Sequence, residues 1–476
     1  MNNYVKTLIN RMAVATGTEL TDDHFKILAY AYDYYERFRV GPLYQNIHKH
    51  TGLTREDIER LFPHGLHSVY TWVGIHIHST DDGCKPVPKI WVDDLRHVYL
   101  DHNATTYPHE KVIRLMQKYI EDEWSFGNPS SSTKLGREAY SRIQSARNEI
   151  AHCLNVQPNE IVFTGGGSEA NNLAIKGIAF SYLKEKGHLI TSRAEHSSVL
   201  KTMQYLESIG FEVTYLDVYP EGMVCSDALK ESIKPNTILV AIMAANNEIG
   251  TINPLRQIGR ICKQAGVPLM VDAVQAFGRI LLQPKSLGIS MMSMSGHKIY
   301  GPKGVGALFV DEALSLVPLI HGGEQEMNYR AGTENVSSIE AFGEAARLIY
   351  QKMATENRRL EAMQMYFWQQ VKRIEPGCIL HGSKDHRVPH NLSIGFPDVD
   401  SGALLLSLNQ IGVYVSAGSA CSAGSREHSH VLRAIGVDTE RYGTIRFSFG
   451  MRTTKEDLDY VLKYLPVILQ QLKMTN

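Results

Sequence analysis

Seven short apolar runs punctuate the chain after Val98: IVFT (161–164), HLIT (188–191), EVTYL (212–216), TILVAIM (237–243), PLMVDA (268–273), SMMSMS (290–295) and GALFV (306–310). Longer amphipathic stretches separate the first five. Runs this short and this apolar predict strands buried on both faces, and strands alternating with helices predict a largely parallel sheet. The fold class is therefore α/β. Beyond about residue 345, a long polar helix (Ala345 to about Arg373) and a mixed α+β tail predict a smaller second lobe.

The first 97 residues read differently. Thr21 predicts a helix cap, with Asp22 and Asp23 in the first turn, Arg37 and Arg39 in the last, and Gly41-Pro42 as the stop. That charge order suits the helix dipole. Phe25, Leu28, Tyr32 and Tyr35 share a face, which predicts core packing. Thr54 followed by Asp57 predicts a capping box for a second helix ending near Leu61. The stretch 70–78, YTWVGIHIH, predicts a strand or a buried turn. Prolines 86 and 88 bar a regular helix, which places a linker at about 80–96.

Composition removes several classes of function. Apolar residues make up 43% and charged residues 21% of 476, which excludes global disorder. Lys+Arg 49 against Asp+Glu 50 leaves no basic excess for direct nucleic-acid binding. Six cysteines without a CxxC pair make no disulfide framework, and a reduced, cytoplasmic setting is expected. The N-terminus, MNNYVKTLINRM, lacks the apolar core of a signal peptide, and no run of about 18 apolar residues predicts a membrane span. His76 and His78 alternate on one face without a cysteine or acid nearby, so no metal site is expected.

Three polar clusters follow predicted strands, where open α/β sheets bind ligands. Thr164-Gly165-Gly166-Gly167-Ser168-Glu169 leads into a helix and suits an anion, although a tight strand-to-helix turn would use the same glycines. It is neither a GxGxxG nor a Walker pattern. Asp272, with Gln275 in VDAVQ, is a helix cap or a carboxylate for a ring nitrogen. Ser295-Gly296-His297-Lys298 brings a lysine to a strand end, where an apolar setting would suit attack on carbonyls, although a lone lysine is more often a solvated charge. Anion cup, carboxylate and amine together are what a pyridoxal phosphate enzyme needs.

Residues 98–476 closely resemble the NifS/IscS-type cysteine desulfurases, fold-type-I pyridoxal 5′-phosphate enzymes of the class V aminotransferase superfamily. The ordered motifs that carry the resemblance are VYLDHNATT (98–106), FGNPSSSTKLGREA (126–139), IVFTGGGSEANNLAIKG (161–177), AEHSSVL (194–200), NNEIGTINP (246–254), VDAVQAFGR (271–279), MSGHKIYGPKGVGALFV (294–310), YRAGTEN (329–335), SAGSACSAG (416–424) and IRFSFG (445–450). The resemblance implies that Lys298 holds the cofactor covalently, Asp272 binds its pyridine nitrogen, and His196 stacks on the ring. It places Gln275 and Asn247 near the phenolic oxygen. Gly167, Ser168, Ser295 and His297 would hold the phosphate, with Thr333 of a second subunit. Arg446 would pair with the substrate carboxylate beside Asn103. Family members usually carry Ala-Thr where this chain has Gly167-Ser168. Cys421, in a long small-residue stretch, would be the thiolate that takes sulfur from L-cysteine, leaving L-alanine and a persulfide. Cys153, Cys225, Cys262 and Cys378 read as structural.

The N-terminal segment is similar to the DsrC/TusE sulfur-carrier proteins, through residues 20–52, ERLFPHG (59–65) and Cys84. Cys84 is the only cysteine before residue 153, so the similarity implies a single-cysteine sulfur acceptor. The expected organisation is a mainly helical carrier domain (1–85), a linker (86–97) and a desulfurase (98–476). In the last, a large domain spans about 111–344 and a small lobe combines 98–110 with 345–476. A homodimer and a sulfur-acceptor protein, an iron–sulfur scaffold or a tRNA-thiolation relay, are the implied partners. Selenocysteine lyase or another pyridoxal phosphate β-lyase is the alternative within enzymes. A non-enzymatic sulfur-relay scaffold is the alternative outside them.

Overall fold

Residues 3–38, 41–62, 65–73, 95–418 and 429–474 are described by the structure, a computed structural model, and they divide into two compact units, one within 3–73 and one within 95–474. The first unit is helical: α1 (Asn3–Thr16), α2 (Asp22–Phe38), α3 (Tyr44–Thr51), α4 (Arg55–Leu61) and α5 (Leu66–Trp72). The capping box forms as its spacing predicts, with Thr54 accepting from the Asp57 N–H and Asp57 accepting from the Thr54 N–H. Two expectations need correction. Phe25 is exposed, because the buried face of α2 runs through His24, Ile27, Leu28 and Ala31. His24 can occupy a core position because Thr21 and the Leu61 carbonyl satisfy its two ring nitrogens. Tyr70–Trp72 close a helix and not a strand. Leu66, Val69, Tyr70 and Val73 are buried at a helical period, which the alternation further along obscures. Residues 74–78 lie outside the described residues, as does the expected linker up to residue 94.

In the second unit each of the seven apolar runs forms a strand. The strands are β1 (Val98–Tyr99), β2 (Ile161–Thr164), β3 (His188–Ser192), β4 (Glu212–Leu216), β5 (Thr237–Met243), β6 (Leu269–Asp272), β7 (Met291–Ser295), β8 (Gly306–Val310), β9 (Ile379–Leu380), β10 (Asn391–Pro397), β11 (Val413–Tyr414) and β12 (Tyr442–Ser448). A seven-stranded sheet has the order β2-β8-β7-β6-β5-β3-β4. Only β8 runs against its neighbours; the other pairings are parallel. Six strands therefore end at the same edge. The apolar residues alternate between two cores: Phe163, Val240, Ile242, Val271 and Met292 face one, and Val162, Leu239, Ala241, Met270 and Met291 face the other. Two buried faces explain why these strands read as unbroken apolar runs.

The helices of this unit are α6 (Glu110–Glu121), α7 (Lys134–Leu154), α8 (Gly167–Ala179), α9 (Ser197–Ser208), α10 (Ser226–Ser232), α11 (Leu255–Ala265), α12 (Pro284–Leu287), α13 (Val336–Ile374), α14 (Ser401–Gln410), α15 (His430–Ala434) and α16 (Lys455–Met474). Helix α13 begins at Val336, earlier than expected. Its first half buries Val336, Ile339, Phe342 and Ile349 against the sheet core. Its second half sets Phe367 5.0 Å from Phe447 and 5.9 Å from Phe449, ring to ring. Those two phenylalanines flank the end of the small antiparallel sheet β12-β10-β9. One helix thus joins the large sheet to the small lobe that carries Arg446. Among the described residues no helix is long and apolar enough to cross a membrane.

Candidate active site

The common edge of the parallel strands collects the chemistry. Gly167 and Ser168 open α8 after β2, His196 caps α9 after β3, Asn247 follows β5, Asp272 ends β6, Ser295 ends β7, and His297 and Lys298 follow it. The helix start is reached through Gly166, whose φ of 155° a side chain would resist. A Cβ on Gly167 would lie 2.6 Å from Val274 Cγ2, so the glycine at this position has a local steric reason. Ser168 is exposed, and Ser295 is buried beside Gly167.

A hydrogen-bonded group ties the remaining residues together. Lys298 Nζ donates to the carbonyls of Asn103 at 2.5 Å and Ala104 at 2.8 Å. Gln275 Nε2 donates to the same Asn103 carbonyl at 2.8 Å. Asn103 Nδ2 donates to the Asn247 carbonyl, which also accepts from Arg446 Nη1 at 3.0 Å. Arg446 lies in mid-β12, paired in register with Ser393, and is 2% exposed. Its Nη2 is held by Asp101, while its Nε is buried without a partner. Asn103 Oδ1 is likewise buried and unpartnered.

Burial sets the electrostatics of the site. Burial, followed by the nearby Lys298 and Lys303 charges, pushes His297 down to about 4, and its Nδ1 pairs with Thr105 Oγ1 at 3.1 Å. Asp272 is 5% exposed and accepts from the Val274 N–H and from Asn171 Nδ2. Glu195, beside His196, is pushed up to about 8, by burial first and despite its bond from Ser192. Asp101, Asn171, Ser198 and Glu195 were not singled out from the sequence, though each lies within a motif quoted above.

Not every expected residue joins this group. Thr333 is exposed, with no hydrogen bond to these residues among those described. Its segment follows a left-handed run at Glu326, Met327 and Asn328 (φ 46°, 55° and 65°). That run is pinned where Glu326 pairs with buried Arg147 at 2.8 Å and accepts from the Phe163 N–H. Cys421 and Cys84 lie outside the described residues. The stems of the Cys421 segment are described: Ser416 exchanges backbone hydrogen bonds with Arg446, and Ser429 Oγ donates to Glu248 at 2.5 Å. Cys153 and Cys262 are buried, with thiols pushed up to about 12, and Cys378 to about 11. Cys225 differs from these: it is partly exposed, and the Tyr219 hydroxyl 2.9 Å away holds its thiol below the ordinary value. No group of His, Cys, Asp and Glu suited to a metal occurs among the described residues.

Comparison with known proteins extends this picture over most of the chain. Residues 98–461 match the family described as Aminotransferase class-V, and residues 1–74 match DsrC like protein. Cysteine desulfurase IscS of Dictyoglomus turgidum is 45% identical over 379 residues, 79% of this chain and 96% of that protein. A solved NifS-like protein superposes with a TM-score of 0.75 at 35% identity, covering 79% of this chain and all of the other. SspA in complex with cysteine gives a TM-score of 0.66 at 38% identity, covering 74% and 98%. The strand-end lysine, the buried aspartate and a match of this length agree, and the chain belongs to the class-V aminotransferase family, with a DsrC-like region at its N-terminal side.

Proposed function

We propose that the chain is a pyridoxal-phosphate-dependent cysteine desulfurase that converts L-cysteine to L-alanine and loads the sulfur onto Cys421. The observation that carries this reading is the continuous bonded group from Lys298 through Asn103 and Asn247 to Arg446. It sets an amine and a buried guanidinium with a spare N–H on the same site. That is the donor set an amino acid's carboxylate and a cofactor aldehyde require.

The class-V family implies pyridoxal 5′-phosphate, and the residues here fit it. Asp272 is a buried acceptor for a ring nitrogen, and the start of α8 with Gly167, Ser168, Ser295 and His297 suits the phosphate. Bound there, the cofactor supplies an electron-accepting ring that stabilises charge at the substrate Cα. The chain does the rest. Lys298 would hold the cofactor, and the Asn103 and Ala104 carbonyls accept from its free amine. Arg446 takes the substrate carboxylate, Asn103 lies beside it, and Gln275 and Asn247 line the phenolic side. His196 stacks on the ring and moves a proton. In the net reaction the cysteine C–S bond breaks, an S–S bond to Cys421 forms, and the carbon gains the proton the thiol gives up.

Thr333 completes the phosphate cup of a second subunit in a homodimer, which accounts for its exposed position here. The organisation is a carrier domain over 1–85, a linker over 86–97 and the enzyme over 98–476, with Cys84 receiving sulfur before an acceptor protein does. Borohydride reduction of the yellow holoenzyme should fix the cofactor to the Lys298 peptide. Cys421→Ser should bind cysteine, with a change in the visible spectrum, yet release almost no alanine. Near-normal alanine from that variant, or labelling of another lysine, rejects the reading. Peptide mass spectrometry after a cysteine pulse should find added sulfur on Cys421 and then on Cys84.

A further inference from the structure

Between the two expected ring contacts runs a chain of hydrogen bonds that neither contact requires. Asn171, on the first turns of α8, donates one Nδ2 hydrogen to Asp272 Oδ2 and the other to Ser198 Oγ, both at 2.8 Å. Ser198 Oγ lies 2.8 Å from His196 Nδ1, and the Ser198 backbone N–H donates to the same nitrogen at 3.1 Å.

Proton bookkeeping along this chain has one solution. Asp272 accepts at both oxygens, from the Val274 N–H and from the Asn171 amino group. The amide oxygen is left buried without a partner, which shows that the two acceptors and not the oxygen set its orientation. The second amino hydrogen reaches Ser198 Oγ, so the serine hydroxyl spends its own hydrogen on His196 Nδ1. The backbone N–H, which cannot reverse, points at that nitrogen too. Nδ1 is therefore an acceptor, and a neutral His196 carries its proton on Nε2.

We infer that Asn171 and Ser198 are positioning residues: together with the Ser198 backbone N–H they hold His196 as the Nε2–H tautomer, and they tie the orientation of its ring to Asp272. The inference rests on the proposed function, in which His196 and Asp272 both touch the cofactor. His196 then meets the substrate as a proton donor through Nε2, and the aspartate expected at the ring nitrogen also anchors that donor's position.

The test uses the full-length holoenzyme with Ser198→Ala and Ser198→Thr. Ser198→Ala should keep its cofactor on Lys298 and its KM for cysteine within about twofold, and lose roughly tenfold or more in kcat. Ser198→Thr, which keeps the hydroxyl, should restore it. Histidine-selective 15N NMR, with the His196 signal assigned by a His196→Gln variant, should show an unprotonated Nδ1 in wild type and a shifted Nδ1 signal in Ser198→Ala, where of the two Ser198 donors only the backbone N–H is left to that nitrogen. Wild-type kcat and unchanged nitrogen signals in Ser198→Ala overturn the inference. So does a loss of cofactor or fold that threonine does not repair, because the chain would then be a structural support. If wild-type protein makes no alanine, the proposed function fails, while the tautomer reading is still decided by NMR.

Discussion

Arg446 and Asp101, 345 positions apart, meet as an ion pair, with Nη2 2.7 Å from Oδ1. The guanidinium is almost wholly buried and its partner is 17% exposed. A parallel bridge from Asp101 to Ser448 and the backbone bonds of Ser416 to Arg446 hold both ends. The acid both aims the arginine and competes for its charge. Asp101→Asn keeps an acceptor in place and removes the competition, so KM for cysteine should fall. Asp101→Ala removes the aim as well, and KM should rise about tenfold. A common direction for both variants would show that Asp101 does not act through Arg446.

Gly167 and Val274 make a second separable pair. Alanine at 167 would bring its Cβ to 2.6 Å from Val274 Cγ2, and a β-branched side chain yields little. Gly167→Ala should destabilise the protein by about 1–3 kcal/mol, the usual cost of overpacking. Adding Val274→Ala should return most of that loss. Urea unfolding of the two single variants and the double should give a coupling energy above about 0.5 kcal/mol. Simple additivity would mean the site relaxes without strain.

Glu195 makes stability depend on pH. Its carboxyl is raised from the ordinary 4.5 to about 8, so between those values the folded state holds a proton that the unfolded chain has lost. This contribution is fully present below about pH 4.5 and disappears as pH rises through about 8. Buried His102 and His390 have lowered values and act in the opposite sense, below pH 6.5. Between pH 6.5 and 8, Tm should therefore fall with rising pH in wild type and fall less in Glu195→Gln. Parallel slopes would place the titration elsewhere.

The left-handed run at Met327 offers a stability test. A side chain in that region costs roughly 1–2 kcal/mol, which glycine avoids. Met327→Gly should raise stability by about 1 kcal/mol, measured by urea unfolding, with part of the gain offset by the freer unfolded chain. Destabilisation would mean that the methionine side chain contributes more than its backbone conformation costs.

The sheet was legible because both of its faces are apolar, so each strand announced itself as a short unbroken run. Lys298 and Asp272 were legible because strand ends are where such folds place chemistry, and His196 only through the family resemblance. What escaped was the partner of each. The bond from Asn171 to Asp272 spans 101 positions, and nothing local to either residue marks it. The start of α13 escaped for a packing reason. A Cβ on Gly343 would come within 2.6 Å of Ala146 Cα on α7, so the small residue there serves close helix contact. Phe25 misled because a histidine, with both nitrogens satisfied, took the core position next to it.

The Arg147–Glu326 pair restricts the order in which substitutions can accumulate. Arg147 also donates to the Ile161 carbonyl, and Glu326 to Phe163 runs the same way in reverse, so each charge is woven into β2 as well as into its partner. Losing either one alone strands a buried charge, a step of about 3–5 kcal/mol that a marginally stable protein rarely survives. Replacing both by apolar residues of matching volume can be nearly neutral. Two acceptable genotypes are thus separated by unfit intermediates, and drift at these positions must proceed through simultaneous change.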